Sequence, residues 1–280
     1  MSVWQTYPQD YRKREVETLL SAVRAGECAA VVGLSGAGKS NLLGFMANRA
    51  GGNPPLALVD CNRLAGQTLE AFFSLVCRSL GEDVLSGEAG ARPALETLLD
   101  ERLSAPEAQL CLLFDRFDAL GEPLFPFVAD GLRALRDAHK YQLTYLTASR
   151  RPLDAHNELT ELFDAHTLWL GSLSPADARW SAQRAMARAG QEWPEPAIDR
   201  LVELSWGYPA LLRACCQAYA AGCELETEAL QRHPAVARRV EEFWADNPAP
   251  EELRRCGIEG QPLLVGGVPL QVDAASLTAK

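Results

Sequence analysis

The run Gly33-Leu34-Ser35-Gly36-Ala37-Gly38-Lys39-Ser40 constrains this chain more than any other stretch. It fits the pattern G-x-x-x-x-G-K-[ST], and its flanks fit as well. Cys28 to Val32 reads as a short buried strand, and Asn41 to Arg49 has helical spacing with Leu42, Leu43, Phe45 and Met46 turned inward. Each part has a physical task. The glycines let the backbone close around a phosphate, so that consecutive N–H groups and the following helix start point at an anion, with Gly33, Ser35, Gly36, Ala37, Gly38, Lys39, Ser40 and Asn41 as the expected nucleotide-binding residues. Lys39 would reach the β and γ phosphates of a nucleotide, and the Ser40 hydroxyl would ligate Mg2+. An accidental glycine-rich turn would not come with strand, loop and helix in this order.

A second half of such a site belongs on a parallel strand further along, and "AQLCLLFDRFD" supplies it. Leu110 to Phe114 would deliver Asp115 to the carboxyl end of a buried strand, where ligands gather in open α/β sheets. Asp115 is the expected second metal-holding residue, through water. Asp118, three residues on, reads equally as a supporting carboxylate or as a cap of the turn.

The rest of the chain falls around these anchors. "RKREVETLLSAVR" is an amphipathic helix with Val16, Leu19, Leu20 and Val23 on one face, and "PLALVDCN" is a strand ending at Asp60. Helices are expected at Leu69 to Leu80 and Ala94 to Leu103, and strands at Gln142 to about Thr147 and Thr167 to Leu170. Near-continuously apolar strands separated by helices imply an α/β fold, a parallel sheet with helices on both faces, over residues 1–172. From Leu173 the pattern changes. Ser174, a proline in the first turn and Asp177 mark a capped helix start, and helical patterns continue through "GYPALLRACCQAYAAG" to Leu230. Residues 173–232 therefore read as a small all-helical lid. Residues 233–280 read as a linker and the beginning of another domain, with short strands at Pro262 to Val265 and Val268 to Val272 joined as a hairpin by Gly266-Gly267.

Taken together, "GLSGAGKS", "LLFDRFD", "TASRRP" and the Gly207-Tyr208-Pro209 turn resemble the signal-transduction ATPases with numerous domains, a branch of the AAA-related ATPases, over about residues 12–232. The resemblance implies ATP or ADP with Mg2+ as cofactors. It also implies Arg150 as a sensor of the γ phosphate, with Arg151 as a second candidate, and Pro209 as a contact of the adenine beside Tyr208. By the residues alone, Arg150 fits a fork on phosphate oxygens better than a surface ion pair and Arg151 the reverse, and a plain interhelical turn is the lesser reading of Gly207 and Pro209. Trp206 fits lid core better than a base-stacking platform. The C-terminal phrase is similar to the opening of the winged-helix domain of bacterial response regulators, which would place DNA binding in a domain not complete in this chain.

One position departs from the family pattern. Many relatives in the additional-strand ATPase class carry, directly after the strand aspartate, a glutamate that polarises the attacking water. Here that residue is Arg116, which stays charged and takes no proton. Slow turnover is expected, with Asp118 as a substitute carboxylate. The catalytic set is then Lys39, Asp115, Asp118 and Arg150. The expected role is a nucleotide-dependent switch that controls homo-oligomerisation or the output of a larger signalling or transcription-regulating protein. The other reading is a motor or loader ATPase stimulated by nucleic acid.

Composition excludes several classes. The chain has 280 residues, 48% hydrophobic and 23% charged, enough for a sizeable core. Its formal net charge of -10 speaks against a chain that wraps DNA through its bulk. The apolar runs are far shorter than the roughly 20 residues of a membrane span. The start has no apolar stretch with a cleavage site, so a cytoplasmic chain without a membrane partner is expected. The eight cysteines are scattered without a C-x-x-C pair, which favours neither zinc nor disulfides, and Cys215 and Cys216 read as small buried residues. No G-x-S-x-G elbow occurs, and His139, His156, His166 and His233 lack a nucleophile at telling spacing.

Overall fold

A computed structural model of the chain describes residues 3–50, 52–82, 90–153 and 158–264. The chain divides into two compact units, one running to Leu170 except for Leu34–Ala37, the other formed by those four residues and the chain from Gly171 on.

The first unit is built on a five-stranded sheet, β1 (Ala29–Val32), β2 (Leu56–Asp60), β3 (Leu110–Asp115), β4 (Leu143–Ser149) and β5 (Thr167–Trp169), in the order β2-β3-β4-β1-β5. Every pairing is parallel. Such a sheet needs cover on both faces, and the central strands are buried along their whole length. Successive side chains of β3 go to opposite sides, so that Leu110, Leu112 and Phe114 enter one apolar cluster while Cys111 and Leu113 are buried outside it. That cluster is completed by α3 (Leu69–Ser79), α4 (Ala91–Arg102) and α5 (Phe125–Ala138). The other helices are α1 (Lys13–Arg24), which buries Val16, Leu19, Leu20 and Val23 and lies against β1 and β4, and α2 (Lys39–Phe45), which lies against β3 and β4. A π-helical turn, Met46–Ala50, continues α2.

Among its described residues the second unit is built from helices, α6 (Pro175–Ala189), α7 (Glu195–Ser205), α8 (Pro209–Ala220), α9 (Thr227–Arg232), α10 (Pro234–Ala245) and α11 (Pro250–Arg255). The Ser174 cap forms as expected: its hydroxyl accepts from the Asp177 amide at 3.1 Å and donates to the Asp177 carboxylate at 2.8 Å. Buried Leu211, Leu212, Cys215 and Cys216 put α8 at the centre, packed against α6, α7 and α10. All eight cysteines are free thiols.

Three sequence expectations change here. The segment from 233, expected as a linker, holds α10 and α11 and packs within the helical unit. Pro262–Leu264, expected as the first strand of a hairpin, is a turn; the remainder of that hairpin lies outside the described residues. The turn is pinned by the buried Gln261 side chain, whose amide donates to Leu204 O at 2.7 Å and whose oxygen accepts from Leu263 N at 2.6 Å and Leu264 N at 3.1 Å. Trp206, expected in the lid core, is instead 41% exposed, because it occupies the left-handed position that ends α7. Among the described residues no helix is long and apolar enough to cross a membrane.

Candidate functional site

β1 ends at Val32, and the loop that follows starts fixed to the sheet, because Gly33 N donates to Ser149 O at the end of β4 at 3.2 Å. Gly36 and Gly38 have φ of +83° and +91°, left-handed values that only glycine adopts without strain. Gly38 caps α2, and Leu42 N closes the first turn on Gly38 O at 3.0 Å. The amides of Lys39, Ser40 and Asn41 open the first turn of a helix, the end at which backbone N–H groups point toward an anion. Lys39 Nζ donates to Gly33 O at 2.5 Å, which folds the ammonium back over the loop.

The second anchor reaches the same place. The β2–β3–β4 register sets Asp60 beside Asp115 and Phe114 beside Thr147, so the carboxyl ends of these strands share one edge. Ser40 Oγ donates to Asp115 Oδ1 at 3.0 Å across 75 residues of sequence. Asp115 is 6% exposed. Burial raises its carboxyl above the ordinary value, the Ser40 hydrogen bond opposes that rise and Asp60 adds to it. Burial and the neighbouring Asp115, Asp60 and Asp118 also push the Cys61 thiol up to about 12, so it stays neutral among these acids. A hydroxyl and a carboxylate side by side are the hard oxygen donors that Mg2+ takes together with phosphate and water. The residues present fit that ion.

Arg116 follows Asp115 with φ of +54° and an exposed side chain, and so starts the short turn Phe117–Ala119. Asp118 faces β4's end: Arg150 N and Nε both donate to its Oδ2, at 3.2 and 2.9 Å. The arginine expected as a sensor and the carboxylate expected as a spare base are thus paired with each other. Arg151 is exposed, and its carbonyl accepts from Ser149 Oγ at 2.6 Å. Asp60, which the sequence identifies only as a strand end, is a charged neighbour of Asp115; the parallel register that brings it there was the missing information.

In the helical unit, Gly207 turns the chain from α7 into α8 with φ of +64°, and its amide donates to Val202 O at 3.0 Å. Pro209 opens α8, where a missing N–H costs nothing. Tyr208 is buried, its ring edge-on to Phe243, and its hydroxyl donates to Ser35 O at 2.5 Å. Ala210 N donates to Gly36 O at 3.2 Å.

Comparison with known structures agrees with this architecture. The Walker-type ATPase PABY2304 of Pyrococcus abyssi is 17% identical, with a TM-score of 0.59 over 91% of this chain and 80% of that one. Cdc6p from Pyrobaculum aerophilum is 13% identical, with a TM-score of 0.53 over 85% and 69%. The FIGL-1 AAA domain, solved in complex with ADP, is 17% identical, with a TM-score of 0.52 over 75% and 70%. No curated protein matches the chain. Residues 23–150, which hold the phosphate-binding loop and Asp115, match the family model of the AAA domain, and over those residues the chain is similar to that family.

Proposed function

We propose that this chain binds Mg2+ with ATP or ADP and hydrolyses ATP slowly. The observation that carries the reading is the Ser40–Asp115 pair, held at the mouth of a glycine loop with Lys39 folded over it. Lys39 would neutralise the transferring phosphate, and the first-turn amides of α2 would hold its neighbours. Ser40 and Asp115 would hold the metal ion, which when bound spreads the charge developing on the phosphate oxygens. Slow turnover follows from the residues around the attacking side. Arg116 accepts no proton, and the Asp118 carboxylate is engaged by Arg150.

Two biological roles fit such a site. The likeness to Cdc6p and to a Walker-type ATPase supports an AAA-type loader or motor, in which a nucleic acid partner would stimulate turnover. The second role is the switch drawn from the sequence, in which exchange of ADP for ATP alters homo-oligomerisation or the output of a larger signalling or transcription-regulating protein. The Arg116 substitution supports it. Hydrolysis assayed with and without single- and double-stranded DNA separates the two, together with molecular mass under ADP and under a non-hydrolysable ATP analogue. Stimulation by DNA at constant mass points to the loader or motor. Mass that follows the nucleotide, with turnover indifferent to DNA, points to the switch. Absence of nucleotide binding would refute both.

A further inference from the structure

The four residues at the tip of the phosphate loop, Leu34–Ala37, belong by their contacts to the helical unit. Two of their carbonyls are held there. Ser35 O accepts from the Tyr208 hydroxyl at 2.5 Å, and Gly36 O accepts from Ala210 N at 3.2 Å. Tyr208 is 1% exposed and edge-on to Phe243, so its hydroxyl is aimed by packing. A methyl group built on Gly36 would run into Cβ of Ala210, so the loop approaches the start of α8 as closely as a backbone can.

A peptide unit is planar and trans, so its carbonyl and the next residue's N–H point in opposite directions. Holding Ser35 O toward Tyr208 turns Gly36 N–H away from α8. Holding Gly36 O toward Ala210 N turns Ala37 N–H the same way, where it meets Leu34 O at 3.2 Å and closes the turn. Gly36 N–H is a group a phosphate would use, while Ala37 N–H holds the turn in shape. We propose that Tyr208 is a positioning residue of the phosphate loop: its hydroxyl, with Ala210 N, sets the direction of the loop amides. This deepens the nucleotide reading and rests on it. It also gives Tyr208, whose part in nucleotide binding the sequence leaves open, a task other than covering a purine.

The two tasks differ in what they sense, since a base contact needs adenine and an amide director needs only phosphate. The test compares the full chain with Tyr208→Phe, which keeps the ring and its contact with Phe243 and removes the hydroxyl. Affinity would be read by displacement of a fluorescent ADP analogue, with ADP and with inorganic tripolyphosphate as competitors. The expected result is loss of affinity for both by the same factor, about tenfold, the size of one hydrogen bond. A matching circular dichroism spectrum and melting curve would establish that the variant is folded, and Tyr208→Trp serves as a second hydroxyl-free variant if it is not. Unchanged affinity for both ligands would overturn the proposal, as would loss for ADP alone, which marks a base contact. Wild-type protein that binds neither ligand would instead overturn the nucleotide reading itself.

Discussion

Ser40 and Asp115 stand 75 positions apart in sequence, yet the serine hydroxyl donates to the aspartate carboxylate at 3.0 Å. The hydroxyl comes from the first turn of α2 and the carboxylate from the last residue of β3, and α2 packs against β3. The pair is thus a product of the crossover, and it makes the first prediction.

Burial holds the Asp115 carboxyl above its ordinary value. Folded protein then keeps a proton that unfolded protein has released, so this group's stabilising contribution is fully present below the unfolded pKa. It is lost as pH rises through the folded value. At neutral pH the ionised group is a cost that Mg2+ would relieve. Asp115→Asn should raise the melting temperature of the nucleotide-free protein by about 2–4 °C, equivalent to about 1 kcal/mol. It should also abolish Mg2+-dependent tightening of nucleotide binding. Wild-type Mg2+ affinity should fall as pH is lowered through the raised value. Calorimetry at several pH values checks each of these.

Arg116 already occupies a left-handed backbone position, so another non-glycine residue there brings no new backbone strain. Arg116→Glu should fold as wild type does and place a carboxylate directly after Asp115. General-base catalysis contributes typically about 10²- to 10⁴-fold. Turnover should rise at least about tenfold in a steady-state phosphate-release assay, with nucleotide affinity changed little. A wild-type rate well above about one per second, at the level of ordinary enzymes, would remove the premise.

The Asp118–Arg150 pair is partly exposed, with side-chain exposures of 28% and 56%. Its contribution to stability is accordingly small, below about 1 kcal/mol. Arg150→Ala should leave the melting temperature within about 2 °C of wild type. As a sensor substitution it should lower kcat at least about tenfold, equivalent to about 1.4 kcal/mol in the barrier, without weakening ADP. Asp118→Asn keeps an acceptor but removes the charge that competes with phosphate for Arg150. It should tighten ATP relative to ADP, as measured by competition binding. Equal effects on the two nucleotides would exclude a γ-phosphate sensor.

How much of this was legible in the sequence depended on whether a feature was local. The glycine loop, the strand ending at Asp115 and the Ser174 cap are short-range patterns, and each lies where the spacing puts it. Helix α5 was not foreseen: Pro126 and the interior Gly131 depress its helical signal. Gly131 has a reason visible only in three dimensions, since an added Cβ would lie 2.7 Å from the Phe73 ring. Tyr208's bond to Ser35 spans 173 positions and Arg150's to Asp118 spans 32, and no period or motif encodes either. Trp206 misled because bulk suggested burial, whereas a helix-ending position turns the side chain outward.

The turn after α11 depends on one side chain. Gln261 is fully buried and satisfies Leu204 O, Leu263 N and Leu264 N at once. Gln261→Ala would take this partner from two buried backbone groups, Leu204 O and Leu263 N, at about 1 kcal/mol or more each, while Leu264 N keeps its bond to Gln261 O at 2.9 Å. A loss of about 2 kcal/mol is expected in urea denaturation, provided the helical unit unfolds cooperatively. Gln261→Glu separates the donor from the acceptor. An ionised carboxylate still accepts from the two amides but cannot donate to Leu204 O, and it buries a charge. Its folded pKa should therefore be raised, so the defect should be deepest at neutral pH and shrink as pH falls through that value, where the protonated carboxyl donates again. A Glu variant equally impaired at pH 5 and pH 8 would show that the turn is held by the apolar burial of Leu263 and Leu264 instead.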